Sequence, residues 1–171
     1  MFKELGVFEY HADQWERFKS GGLREEWRLA YPDIFDEQDV VIAENQGGSP
    51  LNYHFHEWLA AILIYHAFGY LRLVEQYEFK VHRRKRAVLR EFLSDEAFSL
   101  VTDHAQRFGR VQGPDLFVYS RARSDWFFCE VKGPGDRLRK GPIRYFEALV
   151  TATGKDVRVI KFRALSAIRS A

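Results

Sequence analysis

Asp115 and the run Glu130-Val131-Lys132 are the residues of this chain best equipped for chemistry, and fourteen residues separate the aspartate from the glutamate. Two short strand candidates lie between and beside them, Leu116 to Ser120 and Trp126 to Lys132, joined by the polar turn Arg121-Ala-Arg-Ser124. If the turn holds two or four residues, Ser120 sits opposite Asp125 and Asp115 lands opposite Glu130, with Cβ atoms about 4.5–5.5 Å apart. Lys132 projects from the same face, two residues beyond Glu130. A turn of odd length would slip the register and part the two acids. Carboxylates face to face repel, so something must offset their charge. Lys132 supplies one positive charge, and a divalent cation would supply two more. Oxygen donors suit hard cations such as Mg²⁺ or Mn²⁺, which complete their shells with water and substrate phosphate. Such an ion polarises a phosphoryl oxygen and acidifies a bound water, while Lys132 orients that water or offsets charge in the transition state.

An ordinary salt-bridged sheet surface is the plain alternative, because an Asp and a Glu-x-Lys taken alone are common. Two features weigh against it. Trp126 and Phe128 share the face of Glu130, so the charged trio continues an apolar face. The strand then runs into Gly133-Pro-Gly-Asp-Arg-Leu-Arg-Lys140, a flexible basic loop at the carboxyl end of the strand, where open α/β sheets tend to place ligands.

Gly113-Pro114-Asp115, followed by Glu130-Val131-Lys132-Gly-Pro-Gly-Asp-Arg-Leu138, resembles the VRR-NUC family of the PD-(D/E)XK nuclease superfamily. The resemblance covers roughly residues 52–165. It implies that Asp115 and Glu130 bind metal together with the backbone carbonyl of Val131, that Lys132 positions the nucleophilic water, and that the reaction is phosphodiester hydrolysis. It further implies an acidic residue on the first core helix, for which Glu57 is the candidate, with Glu75 and Glu78 weaker ones on the next strand. The competing role for Glu57 is a salt bridge to an arginine such as Arg72, or simple exposure in a first helical turn. Many relatives carry a glutamine at the start of the helix after the basic loop, where this chain has Pro142.

The elements that must position these residues follow from pattern. Asn52 is a candidate cap for a helix running to about Phe68 and closed by Gly69. Residues 70–82 favour a strand, and residues 83–107 return to helix as an insertion. After the hairpin, Pro142 starts a helix that Gly154 stops, with Ile143, Phe146, Leu149 and Val150 as its buried stripe, and Val157 to Phe162 is the last strand. The last strand–helix–strand unit is expected to run parallel. The expected fold is therefore α/β, a restriction-endonuclease-like αβββαβ core with a mixed sheet flanked by helices. Residues 1–51 read as a separate extension of helix and loop, preceding a nuclease core at 52–171. In that extension, Trp15, Trp27 and several phenylalanines are candidates for a homodimer face, since small stand-alone members of the family resemble Holliday-junction resolvases, which act as dimers.

Composition narrows the class. A chain of 171 residues with 46% hydrophobic residues buries one core. Net charge is only +2, but positive residues cluster. Arg137, Arg139 and Lys140 are the expected grip on a DNA backbone. Arg83, Arg84, Lys85 and Arg86 read as a second phosphate-contacting patch, with a solvated helix end as the plainer alternative. The single cysteine, Cys129, rules out an intramolecular disulfide and fits a reducing compartment. It falls on the strand face opposite Glu130 and reads as a core thiol. With no long apolar run, a cytoplasmic protein without membrane contact is expected. His54-Phe-His56 does not read as a metal pair, because positions two apart on a helix do not share a face.

The function expected is a Mg²⁺- or Mn²⁺-dependent deoxyribonuclease, structure-selective toward Holliday-junction or other branched DNA in repair. The alternatives are a catalytically inactive nucleic-acid-binding module on a nuclease scaffold, and a toxin or defence nuclease held in check by a partner protein.

Overall fold

The computed structural model describes residues 2–44, 54–74, 82–109, 111–137 and 140–165. Alternating and continuous apolar segments fold as a five-stranded mixed sheet between two helical layers. In chain order the elements are β1 (Phe2–His11), α1 (Ala12–Lys19), α2 (Gly22–Ala30), α3 (Glu37–Glu44), α4 (Phe55–Phe68), β2 (Leu71–Leu73), α5 (Arg83–Phe92), α6 (Asp95–Thr102), α7 (His104–Phe108), β3 (Leu116–Tyr119), β4 (Trp126–Lys132), α8 (Lys140–Thr153) and β5 (Val157–Leu165). The sheet order is β1-β5-β4-β3-β2. β2–β3 and β3–β4 are antiparallel; β4–β5 and β5–β1 are parallel.

Both faces of the sheet are covered, which explains why β3 reads as four consecutive buried residues instead of an alternating run. On one face Leu116, Val118, Phe127, Cys129 and Ile160 pack against α4, α1 and α2 through Trp58, Phe55, Phe18 and Trp27. On the other, Phe117, Tyr119, Phe128 and Val157 pack against α5, α6 and α8 through Leu89, Phe98, Tyr145 and Phe146. α4 is apolar nearly all round because it is buried on most of its circumference, with Trp58, Ala60 and Ala61 fully enclosed.

Several expectations need correction. Residues 2–11 form a strand, not helix or loop, and extend the sheet by pairing in parallel with β5. The rest of the N-terminal segment is built into the core: Tyr10, Phe18, Leu23, Trp27, Ile34 and Phe35 belong to the same cluster as α4. Trp27 is therefore buried inside the molecule and is not available for a dimer face. The insertion is three short helices, broken at Ser94, which caps α6 through its Oγ, and at Asp103. Helix α4 is preceded by His54 at φ 72°, and Asn52 lies outside the described residues, as do Glu75 and Glu78. Gly69 closes α4 at φ 65°, as expected of a left-handed C-cap. Among the described residues no helix is long and apolar enough to cross a membrane.

Candidate active site at the mouth of the β3–β4 hairpin

The hairpin turn fixes everything above it. Four residues, 121–124, lie between Ser120 and Asp125, which close the turn: the Ser120 N–H donates to the Asp125 carbonyl at 2.8 Å, and Ser120 Oγ accepts from the Ser124 and Asp125 N–H groups at 3.0 and 3.1 Å. An even loop preserves the register, and Tyr119 pairs with Trp126, Phe117 with Phe128 and Leu116 with Cys129. The ladder ends at that pair, and Asp115 and Glu130, the next residue on each side, lie at its open end near enough for their charges to act on each other. The Val131 N–H donates to Asp115 Oδ2 at 2.6 Å, which ties the aspartate across to β4. Lys132 Nζ donates to Glu130 Oε1 at 2.5 Å.

The trio sits in a cleft of about 450 Å³ whose wall also includes His54, His56 and Glu57. Although α4 packs on the opposite layer, its first turn reaches past the strand ends, so Glu57 enters the same field as the two strand carboxylates. Glu57 is not paired with Arg72, whose fully buried guanidinium lies over the Tyr65 ring at 5.7 Å. Its partner is His54, whose Nδ1 is 2.5 Å from Glu57 Oε2. The i, i+3 spacing of His54 and Glu57 is the sequence signal for this contact.

Burial pushes the Asp115 carboxyl well up, and the neighbouring Glu130 and Glu57 charges push the same way against the Val131 N–H. Glu130, only 5% exposed, is likewise raised by burial, with Lys132 opposing and Glu57 adding. Burial alone would lower Lys132, but the Glu130 carboxylate beside it prevails and raises it, so the ammonium stays charged. The site thus concentrates carboxylates that resist ionising together.

These donors fit a hard divalent cation. Among the described residues Glu130 Oε2 is buried without a hydrogen-bond partner, a costly arrangement for a carboxylate oxygen unless an ion or proton meets it. Among the described residues no three His, Cys, Asp or Glu side chains converge closely enough to enclose an ion by themselves. A cation here would take its remaining ligands from backbone carbonyl, water and substrate, the habit of Mg²⁺ rather than of zinc.

The loop after β4 borders the cleft. It turns through paired contacts, the Gly133 N–H to Asp136 Oδ2 and the Asp136 N–H to the Gly133 carbonyl, both 3.1 Å. Gly133 has to be glycine for space: a Cβ there would lie 2.9 Å from His56 Cε1 and 3.0 Å from its Nδ1. Arg137 lines the cleft, as does Pro142 where relatives of the resembled family carry glutamine. Arg139 and the Lys140 side chain lie outside the described residues.

The basic run on α5 divides. Arg83 and Arg84 are exposed, but Arg84 pairs with Asp36 at 2.7 Å. Arg86 sits over the Phe98 ring at 4.9 Å. Lys85 is a correction: it is fully buried, donating to the Val74 carbonyl at 2.6 Å and pairing with Asp39 at 2.5 Å. It stitches α3 to α5 and cannot touch a phosphate.

No family model matches the chain, and no curated protein matches it. Solved structures that are similar include these two. One is paFAN1 bound to a 1-nt 5′-flap DNA with a gap, at 21% identity and TM-score 0.31, covering 89% of this chain and 22% of that one. The other is paFAN1 bound to a 2-nt 5′-flap DNA with a gap, at 20% identity and TM-score 0.29, covering 69% of this chain and 26% of that one. The chain thus spans about a quarter of the length of the structures it matches. Superposition this loose carries no functional weight, and the site's own geometry has to supply it.

Proposed function

We propose that this chain is a metal-dependent nuclease that hydrolyses phosphodiester bonds in DNA, with branched DNA as its preferred substrate. The observation that carries the reading is the closeness of Asp115 and Glu130 at the hairpin mouth, with a buried Glu130 oxygen that has no partner among the described residues and the Lys132 ammonium alongside.

In this reading Asp115, Glu130 and the Val131 carbonyl hold Mg²⁺ or Mn²⁺, and Glu57 supports them from α4. Bound there, such an ion would supply Lewis-acid polarisation of the phosphate and a more acidic water. Lys132 serves as a fixed positive charge. Lys132 Nζ is a hydrogen-bond donor held beside Glu130, placed to offset negative charge on the phosphoryl oxygens. His54 holds Glu57 in place through Nδ1. Arg137, on the cleft wall, steadies the phosphate backbone of the substrate.

The test is a panel of four-way junction, flap, nicked and linear DNAs with Mg²⁺ and with Mn²⁺, wild type beside Glu130→Ala and Lys132→Ala. Each substitution is expected to lower cleavage by at least ~10²-fold, the scale for loss of a transition-state electrostatic partner, while DNA binding persists. Cleavage that survives undiminished in either variant contradicts the assignment. Tight binding without cleavage of any DNA by the wild type would replace it with a binding module.

A further inference from the structure

The sheet face that carries Glu130 and Lys132 does not end at β4. Lys132 is in register with Lys161 on β5, and partners in adjacent strands project from the same face. Arg163, two residues on, shares that face. Both Lys161 and Arg163 are exposed. They line a second hollow of about 310 Å³ that shares Lys132, Gly133 and Asp136 with the wall of the active-site cleft. The two hollows are therefore contiguous across the loop that follows β4.

From this continuity we infer that the row Lys132, Lys161, Arg163 is a track for the phosphodiester backbone of one nucleic-acid strand leaving the catalytic cleft. The inference rests on the nuclease reading for its substrate class.

Spacing fits the ligand. Neighbouring strands stand about 4.8 Å apart, and two residues along a strand advance about 6.6 Å, so the cations repeat on the scale of successive phosphates. Their ionic state fits too. Arg163 has no carboxylate partner among the described residues, although Glu9 is its register neighbour on β1. Lys161 does pair with Glu4, at 2.5 Å, but both side chains are about half exposed, 52% and 49%. Such a pair is worth little in water, so a phosphate can displace the glutamate. Asp136, the other acid on this wall, is committed to the Gly133 N–H.

The experiment reads binding, not cleavage. A fluorescein-labelled 20-base-pair duplex with a single-stranded tail is titrated with protein in EDTA across a range of KCl concentrations, and log K is plotted against log[KCl]. Lys161→Gln with Arg163→Gln is expected to reduce the slope by roughly 1.8, about 0.9 per lost phosphate contact. An equal charge removal at the other end of the sheet, Arg121→Gln with Lys155→Gln, is expected to leave it within a few tenths. Glu4→Gln, which releases Lys161, is expected to tighten binding. An unchanged slope in the Lys161/Arg163 variant, an equal loss in the control, or weaker binding by Glu4→Gln overturns the track. A slope change in a protein that cleaves no DNA would uphold the track and sink the nuclease reading, so the two fail separately.

Discussion

Asp115 takes the Val131 N–H and Glu130 takes Lys132, which leaves Glu130 Oε2 with no donor among the described residues. The residue-scale account is that neighbours aim these acids and hold them still. His54 does so for Glu57. Groups that orient a metal-binding residue cost about 10–100-fold in metal affinity or activity when removed, and His54→Ala is expected to lower kcat on a saturating DNA substrate by that order. His54→Gln, which can still donate to the carboxylate, is expected to recover part of it. Gly133 does the same for the loop. Alanine there would press a methyl group onto the His56 ring, so Gly133→Ala is expected to raise KM for DNA by displacing Arg137, measurable in steady-state kinetics. How legible was this in the sequence? The placement of Asp115, Glu130 and Lys132 on one face follows from the sequence, because a period of two leaves little freedom once the turn length is even. The placement of His56 against Gly133 does not, since nothing local to residue 56 announces a loop that arrives from β4.

At the scale of elements, the hairpin turn and the α3–α5 contact make distinct demands. Asp125 closes the turn and accepts from Lys155 at 3.1 Å, with Arg158 at 3.9 Å. Burial pushes its carboxyl up, but the Lys155 hydrogen bond and charge, with Arg158, bring it below its ordinary value. A depressed acid stabilises the fold above its unfolded pKa and loses that contribution as pH falls through the folded one. Wild type is therefore expected to lose stability below about pH 4 more steeply than Asp125→Asn, in urea titrations at stepped pH. Lys85 sets the larger test. Removing one member of a buried ion pair costs about 3–5 kcal/mol, and Lys85→Ala should show a loss of that order by chemical denaturation, against little change for Arg83→Ala. The sequence made Lys85 look like part of a basic surface. Its burial depends on Asp39, which belongs to a segment far away along the chain, and no local pattern reports such a partner.

At the scale of the whole molecule, the end of the α/β sheet that carries the candidate site is built by sequence-local units and the far edge is not. The β3–β4 hairpin, α8 and β5 follow one another along the chain, and periodicity and turn chemistry located them. β1 could not be seen that way. It lies at the edge, shows no clean alternation of burial, and pairs with the last strand described. Its Tyr10 packs on Phe55 at 5.2 Å and its Phe2 on Phe146 at 5.9 Å, one on each face of the sheet. Deleting residues 1–11 should therefore cost the folded state itself, seen as loss of the cooperative thermal transition in circular dichroism. Asp115 and Glu130, from adjacent strands, would together hold a divalent cation, and isothermal titration of Mn²⁺ into the metal-free protein measures that binding. Wild type should bind the ion, and Asp115→Asn and Glu130→Gln should each lose most of that binding while melting cooperatively. Equal Mn²⁺ binding by all three proteins would contradict it.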